Sequence, residues 1–410
     1  VEVKEARERV RCALQNSGLE FPNNKRITVN LAPADLPKDS GRFDLPIALG
    51  ILAASGQIPL EALHGWEFAG ELSLSGALRP VRGGLVSSLH GGDQRLVLPL
   101  DSAREAALAP AAQVFGAAHL LDVVAHLLGQ PGGEGWQRIT AQAPVQRTSG
   151  PDLADVKGQV QAKRALEIAA AGGHGLLLVG PPGAGKSMLA QRFSSLLPAM
   201  TEQEALESAA VASLAGSFDP QEWGLRPTSA PHHTASAVAL VGGGSPPRPG
   251  AISLAHHGVL LWDEFPEFAR SAPEALREPL ENGHITIARA ALSSQFPARF
   301  QLLAAMNPCP CGFHGSTQRP CRCSPQQIGR YQGKLSGPLL DRIDLHVHVP
   351  ALPAQELLQA PTGESSAAIR QRVVQARQRA VARQGGANQQ LHGQQLEAVL
   401  QLEPAAHALL

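Results

Sequence analysis

Hydrophobic residues in this chain gather in short runs: Leu176-Leu177-Leu178-Val179 stops at Gly180, Val259-Leu260-Leu261-Trp262 at Asp263, and Phe300 to Met306 at Asn307. Such runs, with no polar alternation, predict strands buried on both faces of a parallel sheet with helices between them. Residues 1–129 alternate β-like runs, Arg26 to Leu31 and Arg95 to Pro99, with helical stretches that begin in the charged segment Val1 to Asn16. This pattern predicts an α/β domain of its own. Over 130–151 the periodicity fades into Gly, Pro, Gln and Thr, the composition of a linker. Residues 152–350 hold the three buried runs and form a second α/β domain. Residues 351–410 turn helical and basic, with Arg370, Arg372, Arg377, Arg379 and Arg383 on several helix faces, as a partial helical lid. Within the second domain Ile285 to Arg289 alternates, turns at Ala290 to Ser293 and returns through Ser294 to Phe296, as a β-hairpin.

The first buried run leads directly into Gly180-Pro181-Pro182-Gly183-Ala184-Gly185-Lys186-Ser187, and strand, glycine-rich turn and helix in that order make a phosphate loop. Its backbone N–H groups and the positive end of the following helix cradle a β-phosphate, Lys186 reaches the β- and γ-oxygens, and the Ser187 hydroxyl ligates Mg²⁺. The second run ends in Asp263-Glu264, which predicts a Walker B pair: a Mg²⁺-holding aspartate, and a glutamate that polarises the attacking water. The third run ends at Asn307, the sensor-1 position of an AAA+ ATPase, where an amide between the two Walker strands orients that water. ATP and Mg²⁺ are the expected ligands.

The chain has 410 residues, with 35 Lys and Arg balancing 35 Asp and Glu. Binding to nucleic acid must therefore come from local basic surface and not from a bulk field. No apolar stretch approaches the roughly 20 residues that cross a bilayer, and no signal-peptide pattern opens the chain, so a cytoplasmic protein with no membrane partner is expected. Val1 opens a helical run and Leu410 interrupts one, so both ends read as truncations.

Four of the five cysteines lie in one short span, as Cys309-x-Cys311 and Cys321-x-Cys323. Four thiolates suit a tetrahedral structural Zn²⁺, with His314 able to replace one of them; disulfides or free thiols are the other readings. Cys12 is isolated and expected to be buried in a helix face. His232-His233 and His256-His257 are adjacent pairs with no carboxylate at ligand spacing, which points to loop, packing or channel roles rather than metal.

Taken together these residues resemble the magnesium-chelatase-like AAA+ ATPases, and among them the YifB/ComM group of bacterial competence proteins. The likeness covers nearly the whole chain. It is carried by Asn30 to Lys38, Phe43 to Ala48, Ala230-Pro231-His232-His233-Thr234-Ala235-Ser236, Met306 to Gly312 and Ser336 to Asp344. One departure is the Thr228-Ser229 that follows Arg226-Pro227, where the family usually has an aromatic residue and an arginine before Ala-Pro-His-His. The resemblance implies a homohexameric ring that hydrolyses ATP to ADP and phosphate. Its work would be branch migration and unwinding of recombination intermediates in natural transformation, on single-stranded and branched DNA without regard to sequence. Two rival readings are the ATPase subunit of magnesium chelatase and a remodeller of a protein partner.

The resemblance also places individual residues. Arg342 would reach the γ-phosphate of the neighbouring subunit, the alternative being an ion pair with Asp341 or Asp344. Pro249 to Gly258 resembles the helix-2 insertion shared with replicative helicases, and Arg289, near the tip of the pre-sensor hairpin, would touch the DNA backbone in the pore. Sensor 2 would lie beyond Leu410. Gly65 to Leu85 looks like the Lon protease fold, of the ribosomal-protein-S5 type. Val86 stands where Lon carries its catalytic lysine, and Phe43-Asp44-Leu45-Pro46 replaces the serine-bearing turn, so a non-proteolytic assembly or DNA-contacting domain is implied.

Overall fold

The computed structural model describes residues 2–31, 41–90, 94–110, 112–130, 135–141, 150–244, 246–289, 292–316, 319–400 and 403. Its first α/β unit opens with helix Glu2–Asn16, whose Val10, Ala13 and Leu14 pack on Leu45, Leu49 and Leu52 of helix Asp44–Ala54. The strands are β1 (Trp66–Phe68), β2 (Glu71–Leu72), β3 (Leu78–Arg79), β4 (Arg95–Pro99), β5 (Gln113–Ala117) and β6 (Gln137–Ile139). One sheet runs in the order β1-β4-β5-β6, and β2 pairs with β3 in a separate two-stranded sheet.

The expected strand at Arg95 to Pro99 is β4, buried over four consecutive residues as a parallel strand should be. The run Arg26 to Leu31 forms no strand. Its Ile27 and Val29 are 38% and 49% exposed, so β-forming residue types alone did not supply a ladder partner. Conversely β6 lies inside the stretch expected as a linker and closes the sheet as an antiparallel edge. Asp44, in the region compared with the Lon serine turn, is fully buried and accepts a 2.8 Å bond from Arg9 Nε. Burial pushes its carboxyl up, against the pull of Arg9.

The second unit holds β7 (Leu176–Val179), β8 (Thr228–Ser229), β9 (Gly242–Gly243), β10 (Arg248–Pro249), β11 (Val259–Trp262), β12 (His284–Arg289), β13 (Leu292–Pro297), β14 (Gln301–Met306) and β15 (Leu345–His348). Five of them form an all-parallel sheet in the order β15-β7-β14-β11-β8. Side-chain alternation assigns its two faces. Leu176, Leu178, Val259, Leu261, Leu303 and Ala305 face one core with helices Val160–Gly172 and Ser366–Gln384, whereas Leu177, Leu260, Trp262, Leu302 and Ala304 face another with Phe265, Phe268 and Leu276. Both faces being covered explains why these strands read as unbroken apolar runs.

The expected hairpin is β12–β13, paired from His284↔Pro297 to Arg289↔Leu292. Leu292 and Ser293, expected in the turn, belong to the ladder, and the tip at residues 290–291 lies outside the described residues. Two of the arginines expected on several helix faces tie the lid helix to helix Val160–Gly172, Arg372 while still exposed and Arg377 half-buried. Arg372 Nε is 2.7 Å from Glu167 Oε1, and Arg377 donates to the carbonyls of Ala170 and Ala171 at 2.9 and 2.7 Å, where helix Val160–Gly172 runs out of internal donors. Between the units, Leu85 and Ala109 bury against Leu206 and Ala209 of helix Glu202–Ala215.

Candidate nucleotide site

β7 ends in the phosphate loop and helix Lys186–Gln191 begins at its lysine. Gly180 is required by close approach: a Cβ there would lie 2.1 Å from the carbonyl oxygen of Val349. Lys186 is buried, with Nζ 2.7 Å from Gly180 O, 2.9 Å from Pro181 O and 3.1 Å from Asn307 Oδ1. Its pKa is lowered by burial, which Asp263 opposes. Because β14 lies between β7 and β11, Asn307 leaves the sheet between the segments that follow those two strands. From β11, Asp263 Oδ2 comes within 2.5 Å of Ser187 Oγ. Two hard oxygen donors meeting at one point fit the donor chemistry of Mg²⁺.

Glu264 adopts φ 53°, ψ 42°, the left-handed region that non-glycine residues rarely enter. Its N–H donates to Asp263 Oδ1 at 2.9 Å, and its Oε2 lies 2.9 Å from His233 Nδ1. Gln159, also left-handed at φ 53°, donates from Nε2 to Ala184 O at 3.0 Å and to Pro350 O at 2.7 Å, bracing the loop. Sequence reasoning passed over both contacts. The His232-His233 motif was visible, but its partner Glu264 is 31 positions downstream.

The remaining expected residues are dispersed. Arg342 pairs with Glu281, through Nε at 3.1 Å and through Nη2, and not with Asp341 or Asp344. Asp344 instead accepts from Gly175 N–H at 2.9 Å. Arg289 ends β12, beside the tip that is outside the described residues. The pair His256-His257 does have a carboxylate, supplied from across the fold: Glu207 Oε2 is 2.6 Å from His257 Nε2 and 3.5 Å from His256 Nε2. His256 Nδ1 accepts from the Arg299 N–H at 3.1 Å, so the neutral ring carries its proton on Nε2, the nitrogen that faces Glu207. That tautomer makes the trio a hydrogen-bonded prop rather than a metal site. Arg226 joins it, donating to His257 O at 2.6 Å and to Glu204 Oε2 at 3.1 Å.

Family comparison decides the broader identity. Three family descriptions match in chain order: "Subunit ChlI of Mg-chelatase" over residues 1–101, "Magnesium chelatase, subunit ChlI" over 152–357, and its C-terminal part over 363–410. The chain belongs to the magnesium chelatase ChlI family. Within this family it is 50% identical over 402 residues to the competence protein ComM of Haemophilus influenzae, covering 96% of this chain and 78% of that protein. It is 49% identical over 399 residues to YifB of Salmonella typhimurium, with the same coverages of 96% and 78%. A shorter likeness, 30% over 133 residues, spans 32% of this chain and 14% of the DNA replication licensing factor mcm3 of Xenopus laevis.

In this ChlI-family chain the four cysteines of residues 309–323 converge. Cys309 Sγ stands 3.4 Å from Cys311 Sγ and 3.7 Å from Cys321 Sγ, the latter two are 3.6 Å apart, and all four sulfur atoms, that of Cys323 included, lie within 4.8 Å of one another. Tetrahedral thiolates about 2.3 Å from zinc would stand about 3.8 Å apart, so the set fits that ion. All four are free thiols, and the group closes without His314, whose N–H donates to Cys309 Sγ. Bonds from the N–H groups of Arg322 and Phe313 pull the Cys311 thiol down to about 6. The cluster also buttresses the phosphate loop: at Gly312, φ +83°, an added Cβ would lie 2.4 Å from Pro182 Cδ. No helix of the described residues is long and apolar enough to cross a membrane.

Proposed function

We propose that the chain is the engine of an ATP-driven motor that assembles as a homohexameric ring on DNA and promotes branch migration and unwinding of recombination intermediates in natural transformation. The observation that carries this reading is the convergence of Lys186, Ser187, Asp263 and Asn307 at the carboxyl ends of three adjacent parallel strands. In hydrolysis Lys186 exchanges the loop carbonyls for phosphate oxygens, while Ser187 and Asp263 hold the Mg²⁺ that neutralises phosphate charge. Glu264 takes a proton from the attacking water, whose oxygen bonds to the γ-phosphorus as the bond to ADP breaks. Asn307 orients that water, and Arg342 reaches the γ-phosphate of the neighbouring subunit after leaving Glu281. Cys309, Cys311, Cys321 and Cys323 hold a structural Zn²⁺ beside the loop. The first unit acts as a non-proteolytic, Lon-like domain.

Competence is the role printed for the ComM relative, and its 50% identity over nearly the whole chain favours this reading over magnesium insertion. The likeness to mcm3, a DNA replication factor, supports a DNA track. Arg289 on the hairpin would meet phosphates without reading bases, so binding should be sequence-independent and weaken steeply with salt. A branched-junction assay tests the reading. Wild type with ATP and Mg²⁺ should resolve the junction, and Arg289→Ala should lose that activity while keeping basal ATPase. Junctions left intact during ATP hydrolysis would overturn the motor, and an Arg289→Ala protein as active as wild type would overturn the DNA contact.

A further inference from the structure

We propose that the exposed arginines of helix Ser366–Gln384 form a second DNA-binding surface, which grips the phosphates of a duplex arm lying outside the ring. This deepens the DNA-motor reading above and rests on it. The helix carries five arginines and neither Asp nor Glu. Its neighbour, helix Val160–Gly172, adds Lys163 and Arg164 against a single acid, Glu167. In a chain whose 35 Lys and Arg are balanced by 35 Asp and Glu, that excess is a local basic surface. Ile369, Val373 and Ala380 turn to the core, which sets Arg372, Arg379 and Arg383, spaced by seven and four residues, in one row along the open flank. Arg372 is tied to Glu167 and Glu364 and anchors the start of the row. Arg379 and Arg383 are exposed and meet no carboxylate among the described residues. Arg383 donates to neutral oxygens, Gln384 Oε1 at 2.8 Å and Asn388 Oδ1 at 3.0 Å.

The row is about 16 Å long, the rise of about five phosphates along one DNA strand. Beside it runs a cleft of about 370 Å³, lined by Arg164, His174, Arg372 and Arg379 over Ile168 and Val373. Guanidinium groups in a row, with no carboxylate set among the outer two, suit a polyanion whose charges repeat along a line. The row is also continuous with the hairpin that carries Arg289. Gln301, which opens β14 just after the hairpin, donates from Nε2 to Ala169 O at 2.9 Å and to His174 O at 3.3 Å, and Arg377 donates to the next two carbonyls of the same helix end. Hairpin base, helix end and arginine row therefore meet at the amino edge of the parallel sheet. The phosphate loop leaves the opposite, carboxyl edge, so the row acts on DNA and not on nucleotide.

The test compares the full chain as wild type, as Arg379→Gln/Arg383→Gln and as Arg379→Lys/Arg383→Lys. Each binds a four-way DNA junction and a short single-stranded oligonucleotide over a range of salt, with DNA-free ATPase measured alongside. The glutamine pair keeps the helix and removes the charge, so it should bind the junction roughly tenfold more weakly near physiological salt. Its slope of log K against log salt should flatten by about 2 for each subunit in contact, one phosphate per arginine. DNA-free turnover and affinity for the oligonucleotide, which the pore alone takes, should stay unchanged. The lysine pair keeps both charges and should follow wild type in slope. Unchanged junction affinity and slope in the glutamine pair overturns this proposal alone and leaves the row to an acidic protein partner. An equal loss on junction and oligonucleotide, or a lysine pair as weak as the glutamine pair, overturns it as well. A wild type that binds no DNA overturns the motor reading and the proposal with it.

Discussion

Acidification should loosen the root of β11 through one imidazole. His256 is 2% exposed, its Nδ1 takes the Arg299 N–H, and its protonated form would set a second donor against that amide. Burial and the neighbouring His257 outweigh Glu207 and push it down to about 4. In the unfolded chain the ring titrates near 6.5. The folded protein thus binds fewer protons between these two values, and stability is lost as pH falls through that window. With about 1.36 kcal/mol per pKa unit, the loss between pH 7.5 and pH 5 comes to about 2 kcal/mol. The opening free energy of β11 and β14, read by native-state amide exchange corrected for intrinsic rates, should show it. His256→Asn keeps an acceptor for the Arg299 N–H and does not titrate, so its opening free energy should change by about 2 kcal/mol less over the same range. Equal pH slopes in the two proteins would refute the reasoning.

Lys186→Ala should weaken ATP binding by about a hundredfold, two charge-assisted bonds being lost, while Glu264→Gln should bind ATP normally and hydrolyse it at least about a hundredfold more slowly. Isothermal titration and phosphate release separate the two, and normal turnover in Glu264→Gln would remove the water-polarising role. Arg342→Ala should bind ATP yet hydrolyse it poorly, and mixing it with Lys186→Ala subunits should partly restore activity if the arginine acts across an interface. No recovery at any ratio would leave Arg342 as the partner of Glu281 within one subunit. Elemental analysis under reducing conditions should find about one zinc per chain, and stripping it should lower ATP affinity through the Gly312–Pro182 contact. A metal-free protein with unchanged affinity would contradict both points.

What could be read from the chain beforehand divides by sequence distance. The phosphate loop, the Asp263-Glu264 pair, Asn307 and the cysteine cluster were legible because each is a local pattern on or beside a strand whose apolar run is itself local. The family likeness was legible from five motifs spread over the chain, and the matches over residues 1–101, 152–357 and 363–410 agree with it. Contacts between distant segments were not legible. Glu207 meets His256 and His257 about 50 residues later, and Glu281 meets Arg342 after 61, with nothing in either segment to name its partner. Strand calling failed for a related reason. Arg26 to Leu31 has strand-forming residues but no ladder partner among the described residues, whereas Gln137–Ile139 has little apolar character yet finds the open edge of β5.

Helix Glu202–Ala215 is gripped at opposite sides. Leu206 and Ala209 are sunk in the first unit, and Glu204 and Glu207 are tied to Arg226 and His257, where β11 begins. At 14 residues it is a rod about 20 Å long, and a rod held on both flanks can neither roll nor slide without dragging one attachment along. In the proposed motor, force generated around the nucleotide would therefore have a stiff route outward. The first unit is coupled to the parallel sheet through this helix, and in the proposed motor slack introduced at Leu206 would cost transmission before it cost fuel consumption.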